Sequence, residues 1–259
     1  MKVSGNTILI TGGSSGIGFE LCKQLSGQDN TIIITGRDKA KLDRAKKELP
    51  QLVTIASDVA KSDDIIALYN QVQQQFPKLN LLINNAGVMR TINFHEDKTT
   101  LDELTFEIEV NLKGTIRMVK QFLPLLKRQT NAAIVNVSSG LAFVPLPISP
   151  IYCATKAALH SFTQSLRVQL KNTAVKVFEV APPATQTELL GDFDANDMKG
   201  ITIMKVDDMV RQTLRGIADD RFEIRPGQSN QLKFMSRVAP DFILAQMSKT
   251  VDRMLATPG

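Results

Sequence analysis

Tyr152 and Lys156 stand four residues apart in Tyr152-Cys153-Ala154-Thr155-Lys156, a spacing that brings a phenol and an ammonium onto one face of a helix. Beside a cation a phenol gives up its proton more readily, because the positive charge favours the phenolate. Such a group can pass a proton to or from a carbonyl oxygen near neutral pH. The pair gains meaning from four further signals set around it in a fixed order.

Thr11-Gly12-Gly13-Ser14-Ser15-Gly16-Ile17-Gly18 directly follows a short apolar run and opens a helical pattern. Glycines there permit a tight turn and close approach of a pyrophosphate, and the helix N-terminus offers free N–H groups and a positive dipole end. A plain glycine turn would use the same residues, but the place after the first strand favours a phosphate cradle of Gly12, Ser14, Ser15, Gly16, Ile17 and Gly18. The second apolar run ends in Ile34-Thr35-Gly36-Arg37, where the adenosine ribose of a dinucleotide would arrive. NAD asks for an acidic residue at this point. The chain has Gly36 and then Arg37, and a guanidinium suits a 2′-phosphate, so NADP(H) is the expected cofactor. A solvated surface arginine is the alternative.

Two of the next three strand ends complete the set, and the third run's end adds a candidate for the adenine. Asp58-Val59 follows the third run and would hold the adenine edge, although Asp58 suits a helix-capping loop nearly as well. Asn84-Asn85-Ala86-Gly87 closes the fourth, where small residues let backbone lie against a cofactor and Asn side chains tie neighbouring strands. A turn would favour the same residues. Asn136-Val137-Ser138-Ser139 closes the fifth and sets hydroxyls at the carboxyl edge of a sheet, where ligands bind in open α/β folds.

The elements that must position these groups are legible as a rhythm. Apolar runs at 7–10, 31–35, 52–56, 79–84, 133–137, 175–180 and 222–225 read as strands. Patterns of helical period lie between them at 16–25, 39–48, 62–75, 101–127, 152–171 and 206–218. Strands apolar throughout are buried on both faces. The expected fold is therefore α/β: a doubly wound, Rossmann-like parallel sheet of about seven strands with helices on both faces. Without a linker or repeat, residues 1–259 are expected to form one domain. Residues 183–205 break the rhythm and read as a substrate loop. Residues 226–259 read as a tail with a helix over 240–255.

Together these residues resemble the short-chain dehydrogenase/reductase family in its short, single-domain form. The likeness runs from residue 7 to about 187 and rests on the glycine run, Asn85-Ala86-Gly87, Asn111, Ser139 and Tyr152-Cys-Ala-Thr-Lys156 in this order. It implies an NADP(H)-dependent oxidoreductase with Tyr152 as general acid/base. Lys156 would lower the Tyr152 pKa and bind the nicotinamide ribose, Ser139 would hold the carbonyl oxygen, and Asn111 would anchor a water linking Lys156 to solvent. Pro182 and Thr187 match the segment that meets the carboxamide; Thr185, also expected at the cofactor, stands where a Val or Ile is common. One departure is Pro183, where the family usually has glycine; it fixes φ and removes an N–H. The double proline is similar to a branch that includes reductases of the bacterial teichoic-acid D-alanylation operon.

Residues 140–151 run beside the expected site, are almost wholly apolar and carry three prolines. An apolar or aromatic carbonyl substrate is expected, reduced to an alcohol. A non-catalytic NADP(H) sensor on the same fold is the alternative, and a proton donor argues against it. The helical patterns 101–127 and 152–171 resemble family dimer helices, so a homodimer or homotetramer is expected.

Composition excludes other classes. The net charge of +5 is dispersed and Trp is absent, which argues against nucleic-acid binding. No apolar stretch approaches a membrane span. Cys22 and Cys153 suggest no disulfide framework, which fits a cytoplasmic location. His95 and His160, the only histidines, have no partner at metal-ligand spacing, so no metal is expected. Ser14 lacks the spacing of a hydrolase nucleophile.

Overall fold

The computed structural model describes residues 1–96, 98–191, 193 and 202–256. Seven strands form the sheet: β1 (Thr7–Thr11), β2 (Thr31–Gly36), β3 (Val53–Ala56), β4 (Leu79–Asn84), β5 (Ala132–Val137), β6 (Val175–Val180) and β7 (Glu223–Ile224). Their order is β3-β2-β1-β4-β5-β6-β7, and every neighbouring pair is parallel. The order reverses between β1 and β4, which opens a crevice beyond the carboxyl ends of these two strands.

Alternate strand residues feed two cores. Ile8, Ile10, Ile32, Ile34, Val135 and Phe178 face α1 (Gly16–Leu25), α2 (Lys39–Glu48) and α7 (Val206–Ala218). Leu9, Ile33, Leu82, Ile134 and Val177 face α3 (Ser62–Gln75), α5 (Thr115–Leu126) and α6 (Pro150–Gln169). Period-two alternation thus divides each strand between the layers, and residues such as Phe122 and Phe178 are fully buried.

Three elements differ from the sequence reading. The pattern at 101–127 is one helical run in three parts: α4 (Leu101–Glu107), a π-helical segment (Ile108–Gly114) and α5. Thr100 and Glu103 close a capping box at its start. A Cβ on Gly114 would lie 3.0 Å from Val59, so this segment packs directly on the loop after β3. Second, α8 (Ser229–Val238) precedes α9 (Pro240–Ala256) in the tail. Third, the 183–205 loop is tied at its base, where Thr185 bridges Met204 and Met204 N–H donates to Ala184 O at 2.9 Å. Residues 192 and 194–201 of that loop lie outside the described residues.

Candidate active site

A cleft of about 540 Å³ lies at the carboxyl edge of the sheet. Its first wall is the turn between β1 and α1. Gly12 adopts φ +64°, and a Cβ there would lie 2.9 Å from Ala86 Cα. A Cβ on Gly18 would lie 2.2 Å from Gly12 O, so helix and turn touch backbone to backbone. Ser15, the N-cap of α1, makes no side-chain bond to the first turn, and that turn has no acidic residue. Gly12, Ser14, Ser15, Gly16 and Ile17 all border the cleft. A glycine turn closed by backbone and a helix start without its own cap fit a bound pyrophosphate.

The end of β4 is stitched to this turn. Asn85 Nδ2 donates to Thr11 O at 3.1 Å and Gly12 O at 3.0 Å, while Thr11 Oγ1 accepts from Asn85 N–H and Ala86 N–H. Asn84 Nδ2 donates to Asn136 Oδ1 at 2.9 Å, and Asn136 Nδ2 to Thr163 Oγ1 at 3.0 Å. Polar side chains thus link β1, β4, β5 and α6 across the strand ends, while Asn84 Oδ1 is buried without a hydrogen-bond partner. Asn85, Ala86 and Gly87 all border the cleft.

Tyr152 and Lys156 enter from α6 and are buried, at 5% and 4% exposure. Lys156 Nζ donates to Val137 O at 2.9 Å and sits 5.5 Å from the Tyr152 ring centre. Ser139 meets the Tyr152 hydroxyl, and its Oγ accepts from Leu141 N–H at 3.1 Å. The lowered phenol expected from the Tyr/Lys pairing is not what this geometry gives. Burial raises the Tyr152 pKa well above that of a free phenol, and the Ser139 hydrogen bond only partly opposes it. Burial also lowers the Lys156 pKa to about 8. Both shifts have one cause: neither charge is solvated here.

Asn111 lies behind this pair rather than in the cleft. Its Oδ1 accepts from Val88 N–H, and its Nδ2 donates to Val88 O and Thr155 Oγ1. Pro182, Pro183, Thr185 and Thr187 border the cleft opposite the glycine turn. Thr187 would touch a Cβ on Gly16 at 3.3 Å. Thr185 Oγ1 turns away to donate to Pro183 O.

Other expected residues stand farther out. Arg37 is exposed, with its guanidinium 5.6 Å from the Phe106 ring centre. Asp58 caps its own loop, its carboxylate accepting from Ala60 N–H at 3.0 Å. Val59 is buried beneath the π-helical segment. Gly18 serves the turn through packing.

The far end of the cleft is apolar. Met89, Leu146, Ile148, Tyr152 and Cys153 form one cluster, joined by Leu141, Leu189, Phe193 and, from α9, Met247, Val251 and Met254. The 140–151 loop and the tail therefore both reach the site. Lys41 and Glu188 face each other across the mouth at 2.5 Å. Neither had a motif to mark it.

His160 also acquires partners invisible in its sequence neighbourhood. Its Nδ1 lies 2.7 and 2.9 Å from the two carboxylate oxygens of Glu179, which also accepts from Ser138 Oγ at 2.6 Å. With Glu223 these form a group whose potential ligand atoms lie within 4.8 Å of one another. Lys233 and Arg225 also pair with Glu223, so the cluster is already tied into ion pairs.

A family model described as short chain dehydrogenase matches residues 6–197. The chain belongs to the short-chain dehydrogenase family of oxidoreductases. It is 42% identical over 250 residues to the uncharacterized oxidoreductase DltE of Bacillus subtilis (strain 168), covering 96% of this chain and 98% of that one. A short chain dehydrogenase from Burkholderia cenocepacia J2315, solved in complex with NADP, matches with a TM-score of 0.82 at 25% identity over 100% of both chains. A short chain dehydrogenase/reductase from Burkholderia phymatum, solved in complex with NAD, has the same fold: TM-score 0.82 at 22% identity, over 95% of this chain and 96% of that one.

Proposed function

We propose that the chain is an NADP(H)-dependent reductase that converts an apolar or aromatic ketone or aldehyde to an alcohol, reversibly, with Tyr152 as general acid/base. The observation that carries this reading is a single buried phenol, with Lys156 beside it, at the junction of the glycine turn and an apolar pocket.

When bound, the cofactor supplies hydride to the carbonyl carbon. The chain's own residues do the rest. The first turn of α1 would hold the pyrophosphate, and Arg37 just after β2 would hold the 2′-phosphate. Thr187 and Pro182 would meet the carboxamide, and Asp58 and Val59 in the loop after β3 would meet the adenine. Ser139 and Tyr152 donate hydrogen bonds to the carbonyl oxygen as negative charge builds on it. Tyr152 then delivers its proton, and the raised phenol pKa keeps that proton in place until the oxygen needs it. Lys156 stabilises the phenolate left behind. The Met89, Leu146 and Ile148 wall excludes water and favours an apolar substituent. We expect the protein to act in the cytoplasm as a homodimer or homotetramer.

The test is loss of NADPH absorbance across aliphatic, aromatic and β-keto-ester ketones, with NADH in parallel. Turnover faster with NADPH than with NADH is expected, and Tyr152→Phe should bind NADPH yet lose at least ~10²-fold in rate. Near wild-type turnover by that variant would overturn the assignment. Tight NADPH binding without turnover on any ketone would favour a cofactor sensor.

A further inference from the structure

Glu107 is a fully buried acid that the proposed chemistry leaves unused. It ends α4. Its Oε1 accepts from Arg90 N–H at 3.0 Å, but its Oε2 has no hydrogen-bond partner. The nearest cation is the Arg90 guanidinium at 3.8 Å, which is itself spent on the carbonyls of Glu103 and Leu104, with its Nε unpartnered. A half-paired carboxylate is a costly thing to bury.

Its surroundings give it a task. Val88 is held through both backbone groups by Asn111, four residues further along the same helical run. Arg90 is held through its N–H by Glu107, and Ile92 N–H donates to Ile148 O at 2.9 Å. Residues 88, 90 and 92 are thus anchored in alternation, as an extended strap requires. The intervening Gly87 and Met89 border the cleft, and Met89 packs in the cluster that contains Tyr152 and Cys153. The titratable and charged groups that act on Glu107 are Arg90 from the strap and Tyr152 and Cys153 from α6.

We propose that Glu107 is a positioning residue: it fixes the strap 87–92 as the Met89 wall of the substrate pocket and sets a negative charge near Tyr152. The kinetic half of this inference rests on the reductase reading; the strap half rests on geometry alone. Burial holds the Glu107 carboxyl above the usual carboxylate range; when ionised it disfavours the Tyr152 phenolate, and so raises the pH at which the coupled Tyr152–Lys156 pair loses its proton.

Two variants separate the roles. Glu107→Gln keeps an acceptor for Arg90 N–H and removes the charge; Glu107→Leu removes both. For Glu107→Gln we expect wild-type amide exchange at residues 88–92, an unchanged KM, and an alkaline limb of kcat/KM displaced to lower pH. For Glu107→Leu we expect faster exchange confined to the strap, a ketone KM raised about tenfold with a smaller change in kcat, and unchanged NADPH affinity by fluorescence. Wild-type KM and strap exchange in Glu107→Leu, or an unmoved limb in Glu107→Gln, overturns the proposal. If Glu107→Leu does not fold, the limb of Glu107→Gln decides. If the wild-type protein reduces no ketone, the reductase reading fails by itself, and strap exchange in the two variants still decides the positioning role, equal protection overturning it.

Discussion

At the scale of residues, the site is governed by burial more than by pairing. Sequence spacing suggested that an ammonium would ease ionisation of the phenol, yet desolvation raises Tyr152 and brings Lys156 to about 8. The sign of the pH dependence follows. Below pH 8 Lys156 carries the charge that the departing proton of Tyr152 requires; above it, the amine is neutral and the phenolate loses its support. We therefore expect kcat/KM for ketone reduction to fall as pH rises through about 8. Lys156→Arg, which stays charged, should react more slowly but carry its limb to higher pH, as a pH–rate profile would record. An unmoved limb would assign the titration to another group. The residues that motif and spacing could mark were those that act through backbone or through near neighbours in sequence: the glycines, Asn85, Ser139, Tyr152 and Lys156. Glu107, Lys41 and the Ser138–Glu179–His160 network acquire their partners only through folding, and no local pattern announces them.

At the scale of elements, the strand ends act as one assembly. Thr11, Asn84, Asn85 and Asn136 join three strands and α6, so the turn that would hold a pyrophosphate is fixed from the far side of the crevice. Gly18 shows how little room is left. Gly18→Ala sets a methyl 2.2 Å from Gly12 O, which is backbone and cannot swing aside. The variant should lose about 1–3 kcal/mol of stability and bind NADPH more weakly, measured by denaturant unfolding and fluorescence titration. Wild-type values in both would mean that the turn can shift. Most element positions were legible because unbroken apolar runs and 3.6-residue patterns leave few alternatives; α1, α2, α3 and α7 have the boundaries the pattern predicts. The π-helical segment was not legible. Its sequence reads as ordinary helix, while the structure sets it against parts distant in the chain: the Val88 backbone bound by Asn111 and Val59 beside Gly114.

At the scale of the molecule, the cleft is finished by parts distant in sequence. The body supplies the glycine turn and Tyr152, the 140–151 loop supplies Leu146 and Ile148, and α9 returns to lay Met247, Val251 and Met254 against them. The tail could be read only as an apolar helix, since nothing local says which surface such a helix covers. Its arrival at the cleft separates two properties: the residues proposed to hold the cofactor lie in the body, and the apolar end is shared with the tail. A change on α9 should therefore act on substrate alone. Met247→Glu would put a carboxylate into an apolar cluster, where it must be desolvated whenever an apolar ketone binds. We expect KM for such ketones to rise by about tenfold or more, NADPH affinity to stay as in the wild type, and the penalty to shrink for ketones carrying a cationic group. Steady-state kinetics on matched neutral and cationic ketones would measure it. An equal penalty for both would mean that α9 packs beside the cleft without meeting the substrate. A fall in NADPH affinity would mean that the tail holds the cofactor end as well.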